Sequence, residues 1–169
     1  MEESGHDGSP KDGLPKDDSS EDDVLAVARR IFQEKVPFHR TLGFEIAVDT
    51  ADRVALRFDF RQGLIGNPVR GALHGGVISA ALDSIGGLVA FVDQLEKMPE
   101  ASSEEKLARL RRIGTVDLRV DYLRSGVGEY FLATGEVLRA GNKVVVTRME
   151  LCNDAGTRIA VGTGTYLVS

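Results

Sequence analysis

The sequence predicts an α+β domain in which an antiparallel sheet wraps around one long apolar helix, with a further helix near the N-terminus. Residues 77–92 read VISAALDSIGGLVAFV, which places apolar side chains on every side of a helix and is typical of a helix buried in a core. Four strand-like segments follow, joined by short connections rich in Gly, Asn and Ser that favour antiparallel hairpins. A chain of 169 residues, 42% of them hydrophobic, is long enough for one domain with a full core.

The segments before the apolar helix predict one helix and two strands. Residues 20–23 resemble a capping box and begin a run of apolar residues at helical spacing, which Pro37 ends. Residues 44–48 predict a first strand. Residues 53–60 alternate between apolar and charged side chains, as expected for a second strand with one buried face. Gly, Asn and Pro within residues 63–68 predict a loop that leads into the apolar helix.

Small residues on two of the later strands indicate how the apolar helix packs. In the last strand Ala160, Gly162 and Gly164 share one face, and Ala133 and Gly135 share one face of an earlier strand. Small side chains there let a helix approach the sheet closely. The predicted order is αββαββββ, and the last four strands are expected at residues 116–123, 129–138, 143–152 and 158–168.

Residues 98–114 depart from this pattern and predict a surface helix inserted between the apolar helix and the sheet. The segment is rich in charge and carries three apolar residues at helical spacing. Its arginines, Arg109, Arg111 and Arg112, could contact phosphates. A solvated face of an amphipathic helix is the interpretation that we favour.

Negative charge is concentrated near the N-terminus. Nine acidic residues and two lysines give residues 1–23 a net charge of −7, whereas the whole chain carries −5, so the remainder sums to +2. We predict a disordered acidic tail over residues 1–18 and a single domain over residues 19–169. The domain has no basic stripe with interleaved aromatic residues, so binding to nucleic acid is not expected, whereas a small phosphorylated ligand is compatible with its charge.

Several other classes of protein are disfavoured by the sequence. No uninterrupted apolar run reaches the ~18 residues of a membrane-spanning helix, and no cationic-then-apolar leader is seen, so we expect neither membrane insertion nor secretion. Cys152 is the single cysteine, which excludes an internal disulfide and fits a reducing compartment such as the cytoplasm. Three histidines and one cysteine offer no spaced ligand set, so a metal site is not expected.

Asp83 is the only ionisable residue in the apolar segment 77–92. A buried carboxylate is costly unless it is paired, hydrogen-bonded or protonated, so its presence suggests chemistry. Two glycines, Gly75 and Gly76, stand where the helix should begin. A helix N-terminus presents unpaired N–H groups, and glycine lets a substrate carbonyl approach the backbone, so this terminus could stabilise a developing oxyanion.

The residues around this helix resemble a known family. The segments GNP at residues 66–68 and LHGG at residues 73–76, followed by Asp83 and Gly87, have the spacing found in hotdog-fold acyl-CoA thioesterases of the phenylacetate-degradation, or PaaI-like, type. The resemblance extends from about residue 38 to the C-terminus and includes the order of elements. The acidic tail and the 98–114 insertion lie outside the usual pattern.

The resemblance implies a catalytic role for five residues. Asp83 is the expected catalytic carboxylate, acting as a general base on water or as a nucleophile on the thioester carbon. The backbone N–H of Gly75 is expected to hold the thioester oxygen. Asn67 and His74 match positions that line the site and organise its loop, and Thr115 aligns with a Ser or Thr that orients the attacking water. No cofactor is expected, because CoA is part of the substrate.

Five further residues are candidates for binding the substrate. Gly76 lies beside the expected oxyanion position, and Phe91 could set the depth of the acyl pocket. Three basic residues, Arg61, Arg70 and Arg124, are candidates for contact with the CoA phosphates, although each could equally be a solvated surface charge.

The spacing of Gly75 and Asp83 predicts the quaternary structure. Eight residues along one helix correspond to roughly 12 Å, whereas an oxyanion donor and an attacking group must both lie within ~3–3.5 Å of the reacting atoms. One chain cannot easily supply both groups, but two antiparallel helices from two subunits can. We therefore predict a homodimer, with a homotetramer as a possible higher assembly, in which each Gly75 faces the partner subunit's Asp83.

The leading prediction is hydrolysis of an acyl-CoA thioester to free acid and CoA. Three other functions are compatible with the fold. A hydratase or dehydratase is disfavoured because the paired His and acidic residues of that chemistry are not found in the sequence. A non-catalytic module that binds or senses acyl-CoA is the main alternative. A purely structural dimer is the least favoured, because it leaves the cost of burying the Asp83 carboxylate uncompensated.

Overall fold

The computed structural model describes residues 26, 29–48, 53–102, 104, 105, 108 and 112–169. Within them a six-stranded antiparallel sheet has the strand order β1-β2-β6-β7-β8-β5, so β1 and β5 form its two edges. The observed strands lie within two residues of the predicted ones at either end. Their bounds are β1 Glu45–Val48, β2 Val54–Asp59, β5 Gly114–Tyr122, β6 Tyr130–Ala140, β7 Val144–Asn153 and β8 Arg158–Leu167.

The sheet wraps around α2, Gly75–Glu96, which is the long apolar helix of the sequence. Leu82, Ile85 and Leu88 of α2 are fully buried against the inner face of the sheet. This is the predicted α+β arrangement of the hotdog fold, so that prediction is confirmed. The core owes its stability mainly to this contact, because each fully buried Leu or Ile contributes about 1.5–3 kcal/mol.

Small residues allow the close packing of α2 on the sheet, as the sequence indicated. A Cβ added at Gly135 would lie 3.1 Å from the Val89 side chain, and one at Gly162 would lie 3.4 Å from that of Leu82. Ala133 and Ala160 are fully buried in the same layer. Larger residues at these positions would therefore push the helix away from the strands.

α2 is longer than the apolar segment from which it was predicted. The helix has 22 residues, so by length and composition alone it could cross a membrane. Half of its apolar 18-residue stretch is buried inside the protein, however, which is the behaviour of a core helix. The helix exceeds the apolar segment because it continues past residues 77–92 at both ends.

The N-terminal region contains two helical segments where one was predicted. A π-helix over Arg29–Lys35 ends just before Pro37, as expected, but α1, Pro37–Leu42, follows at once. Proline is well suited to the first position of a helix, because the N–H that it lacks would have no acceptor within the helix there. Gly43, with φ of 70°, ends α1 in the left-handed conformation. The predicted capping box at residues 20–23 and the acidic tail lie outside the described residues.

The predicted loop at residues 63–68 is wrong in part. It contains a 3-10 turn, Gln62–Leu64, and then strand β3, Ile65–Asn67, which pairs with β4, Ala72–Leu73, in a small second sheet. Strands of two or three residues carry too little alternation to be recognised. In the segment 98–114, residues 104, 105 and 108 are helical, and β5 has already begun at residue 114. Two of the arginines predicted there, Arg109 and Arg111, lie outside the described residues.

Candidate active site

Asp83 lies on the third turn of α2, where it is half-buried and lines a cavity of about 390 Å³. Three apolar side chains from the N-terminal helical region, Phe32, Val36 and Phe38, form one wall of the cavity. The wall on the sheet side includes Thr115 near the start of β5. The cavity therefore combines one carboxylate with a largely apolar lining, which suits a ligand that has a reactive polar group and an apolar tail.

Two hydroxyl groups hold one oxygen of the Asp83 carboxylate. Thr115 Oγ1 donates a hydrogen bond of 2.9 Å to Asp83 Oδ1. The Tyr166 hydroxyl lies 3.3 Å from the same oxygen and 3.1 Å from the Asp83 backbone carbonyl. Among the described residues, Asp83 Oδ2 has no hydrogen-bond partner. One carboxylate oxygen is thus fixed, and the other is available to a ligand.

A histidine and a serine that the sequence analysis did not single out line the same cavity. His39 is 7% exposed, and its Nδ1 lies 2.6 Å from the Phe32 carbonyl oxygen, which can only accept, so Nδ1 carries the proton. In the neutral ring Nε2 then accepts from the Ser84 hydroxyl at 3.0 Å. Burial lowers the pKa of His39, against the opposing effects of the Phe32 carbonyl and the Asp83 charge.

Pro37 explains why the Phe32 carbonyl is free to bind His39. In a π-helix the carbonyl of residue i bonds the N–H of residue i+5. For Phe32 that residue is Pro37, which has no N–H. This combination of a helix end, a proline and a nearby histidine could have been found in the sequence. The hydrogen bond between Ser84 and His39 could not have been found in the sequence, because the two residues are 45 positions apart.

At the start of α2, His74 caps the helix and the two glycines supply its first backbone N–H groups. His74 is the N-cap, and its Nδ1 accepts a 2.9 Å hydrogen bond from the Gly76 N–H. A Cβ added at Gly76 would lie only 2.9 Å from that nitrogen, so the cap requires glycine there. The Gly75 N–H, at the first position of the helix, has no acceptor within the helix. A Cβ at Gly66 would lie 2.5 Å from the His74 Cα, which explains the glycine of the GNP segment.

The remaining predicted residues do not line the Asp83 cavity. Gly75, Gly76 and His74 lie two turns away from Asp83 along α2. Asn67 Oδ1 accepts a 3.2 Å hydrogen bond from the Arg70 N–H and so closes the turn between β3 and β4. Phe91 is fully buried in the core, where it packs against Phe32. Of the predicted catalytic residues, the structure brings together only Asp83 and Thr115 in the part of the chain that it describes.

The three arginines predicted near the CoA phosphates are in different situations. The Arg61 guanidinium donates to the Thr41 carbonyl, and Arg124 donates to the Arg158 carbonyl at 3.0 Å. The Arg70 side chain is exposed and makes no hydrogen bond or ion pair with any described residue. No group of three or more His, Cys, Asp or Glu side chains in the described part of the chain could hold a metal ion.

The sequence of this chain is similar to those of a known protein family. The sequence profile of the thioesterase superfamily matches residues 70–160. The medium/long-chain acyl-CoA thioesterase YigI of Escherichia coli (strain K12) is 44% identical over 147 residues, which cover 87% of this chain and 95% of YigI. A protein from Halobacterium salinarum is 31% identical over 157 residues, which cover 87% of this chain and 93% of that protein.

Solved structures show the same architecture. A protein from Shewanella oneidensis related to the thioesterase superfamily is 46% identical and superposes with a TM-score of 0.80, covering 86% of this chain and 95% of its own. A protein from Syntrophus aciditrophicus is 44% identical, with a TM-score of 0.75 and coverage of 86% and 96%. A protein from Bacillus halodurans, solved with CoA, shares the fold at 21% identity and a TM-score of 0.63, with coverage of 93% and 98%.

Proposed function

The chain belongs to the thioesterase superfamily, and on that premise we propose that it hydrolyses acyl-CoA thioesters to free carboxylic acid and CoA. The observation that carries the proposal is the geometry of Asp83, which lines an apolar cavity and is held through one carboxylate oxygen. Its other carboxylate oxygen has no partner in the part of the chain that the structure describes. The likeness to the E. coli enzyme over nearly all of its length supports acyl chains of medium to long length as substrates.

Asp83 performs the proposed chemistry through its free oxygen. As a general base it takes a proton from water while the water oxygen bonds to the thioester carbon, and the C–S bond then breaks with the proton passing to the CoA sulfur. As a nucleophile it attacks the thioester carbon, the C–S bond breaks and CoA leaves as its thiolate, which gives a mixed anhydride. Water then hydrolyses the anhydride to the free acid and the Asp83 carboxylate, and a proton released in this step passes to the CoA sulfur. In both routes the negative charge that develops on the thioester oxygen needs a donor, which is the role proposed for the Gly75 N–H.

We propose that this donor comes from a second subunit. Gly75 does not line the cavity of its own Asp83, and the two residues are roughly 12 Å apart along α2 at ~1.5 Å per residue. Strand β5 is an open edge of the sheet, and Val116, Tyr122 and Leu123 at or just beyond it are 63%, 53% and 48% exposed. An unpaired edge with apolar side chains favours pairing with another strand, which supports a homodimer.

The CoA moiety of the substrate is proposed to bind where Arg70 is exposed. Its guanidinium makes no hydrogen bond or ion pair with a described residue and can pair with a phosphate, whereas Arg61 and Arg124 already donate to backbone carbonyls. The turn that carries Arg70 leads through β4 to the N-terminus of α2, the end of the helix that attracts negative charge.

The direct test is turnover of a panel of acyl-CoAs, from short aliphatic to long-chain and aromatic, by the wild type and by Asp83→Asn. We expect Asp83→Asn to reduce kcat at least about a hundredfold, because the amide can neither accept the proton nor attack. Asp93→Asn is the matched control, since Asp93 lies on the same helix outside the cavity and pairs with Lys97.

The same experiment separates catalysis from binding. Near-native turnover by Asp83→Asn would overturn the role of Asp83. If the wild type binds acyl-CoA but does not turn over any member of the panel, the protein is instead the non-catalytic binding module. Titration calorimetry with a non-hydrolysable thioether analogue of acyl-CoA measures that binding independently of turnover.

A further inference from the structure

Tyr166, near the end of β8, contacts Asp83 although the two are 83 residues apart in sequence. Its hydroxyl lies 3.3 Å from Asp83 Oδ1 and 3.1 Å from the Asp83 carbonyl oxygen, and its side chain is 1% exposed. The carboxylate and carbonyl oxygens can only accept, so the phenol is the donor. Burial, together with the charge of Asp83, raises the pKa of Tyr166, which keeps this donor protonated.

Two glycines make room for the Tyr166 side chain beneath α2. A Cβ added at Gly86, one helical turn beyond Asp83, would overlap the Tyr166 hydroxyl. A Cβ added at Gly164, on β8, would lie 2.7 Å from the same hydroxyl. Glycine weakens both helices and strands relative to alanine, so its presence at two facing positions needs a reason. The space required by Tyr166 supplies that reason.

Tyr166 and Thr115 act on the same atom of Asp83. Thr115 approaches from the edge strand β5 and Tyr166 from its neighbour β8, and both lie within hydrogen-bond distance of Oδ1. Asp83 Oδ2 has no partner among the described residues. A carboxylate held at one oxygen from two strands cannot rotate freely, so its second oxygen keeps one direction. The rate of a reaction between a catalytic carboxylate oxygen and a bound substrate or water depends strongly on the direction in which that oxygen points.

We propose that Tyr166 is a positioning residue that, with Thr115, fixes Asp83 through Oδ1 and makes Oδ2 the reactive oxygen. The inference rests on the thioesterase function proposed above and adds a residue to it. Tyr166 acts through Asp83, because its one hydroxyl proton is shared between the carbonyl oxygen and Oδ1 of that residue. The Thr147 side chain also hydrogen-bonds the Tyr166 hydroxyl.

The test compares Tyr166→Phe with Tyr130→Phe as the matched control. Phenylalanine keeps the ring and removes only the hydroxyl. Tyr130 lies on β6 away from the cavity, and the Arg57 guanidinium stacks over its ring. We expect Tyr166→Phe to lower kcat tenfold or more with KM changed less than about twofold. Tyr130→Phe should match the wild type.

Site-specific incorporation of 3-fluorotyrosine at position 166 gives a second readout. It retains the ring and the hydroxyl donor, so we expect kcat within about twofold of the wild type and an unchanged KM. A fluorinated protein that folds but loses kcat tenfold would contradict the positioning role, and this outcome can be read even if Tyr166→Phe does not fold.

The outcomes separate this inference from the function on which it rests. If Tyr166→Phe keeps kcat within about twofold of the wild type while Asp83→Asn is inactive, the positioning role is overturned and the thioesterase function stands. If the wild type hydrolyses no acyl-CoA, the proposed function itself is overturned.

Discussion

At the scale of single residues, His39 shows how burial links the site to stability. Its pKa is lowered from the ordinary value of 6.5, mainly by burial. As pH falls below about 6.5 the unfolded chain binds a proton that the folded protein resists, so the stability from this group is present at higher pH and is lost as pH falls through the folded-state pKa.

We expect His39→Gln to flatten this pH dependence. The variant should have a lower Tm at pH 7.5, because the hydrogen bonds to the Phe32 carbonyl and to Ser84 are disturbed. Its Tm should then fall less than that of the wild type between pH 7 and pH 5. Thermal unfolding across that range measures both effects. An equal fall in the His39 variant would show that the burial of His39 does not control the slope.

The residues of the site were predictable only where they are close in sequence or share the family motif. Asp83 was found because a lone acid stands out in an apolar helix, and Thr115 because of the resemblance. Tyr166 and Ser84 were missed, since their partners are 83 and 45 residues away and no local pattern marks them. Phe91 was assigned to the acyl pocket, but the structure places it in the core.

At the scale of elements, long periodic segments were predictable and short ones were not. The apolar helix and strands β2, β6, β7 and β8 each bury several side chains, which leaves a pattern in the sequence. The hairpin of β3 and β4 and the six-residue helix α1 depend on contacts with the rest of the chain, so propensity alone does not specify them.

The N-terminal helical region forms the apolar wall of the cavity, so it should influence the choice of acyl chain. Phe38, on α1, lines the cavity and is 56% exposed, which leaves much of its ring to contact a ligand. We expect Phe38→Ala to raise KM for long-chain acyl-CoA about tenfold, since the loss of partial ring burial is worth about 1–1.5 kcal/mol. Short-chain substrates should be little affected.

Steady-state kinetics on short and long acyl-CoAs measures this preference. Leu138→Ala is a suitable control, because Leu138 is 53% exposed on β6 and does not line the cavity. A uniform change in KM across all chain lengths for Phe38→Ala would argue against a role for α1 in selecting the acyl chain.

At the scale of the whole molecule, the decisive question is whether one active site needs two chains. Gly75→Pro removes the proposed oxyanion donor without an obvious cost to the fold. Gly75 is the first residue of α2, where proline is favoured, and His74 before it has ψ of 137°, which proline accepts. Gly75→Ala is the matched control, because it keeps the N–H and its Cβ would lie 3.5 Å from the Tyr122 ring, an ordinary contact.

We expect Gly75→Pro to lower kcat about a hundredfold or more, as the loss of an oxyanion donor does elsewhere, and Gly75→Ala to be much milder. Asp83→Asn alone should also be inactive. If sites are shared, each mixed dimer of the two inactive chains contains one site with both defects and one intact site. Random exchange makes half of the dimers mixed, so about one quarter of wild-type activity should return. If Gly75 and Asp83 of the same chain formed the site, every site would carry one defect and mixing would restore nothing. Subunit exchange verified by mass spectrometry makes that negative result conclusive.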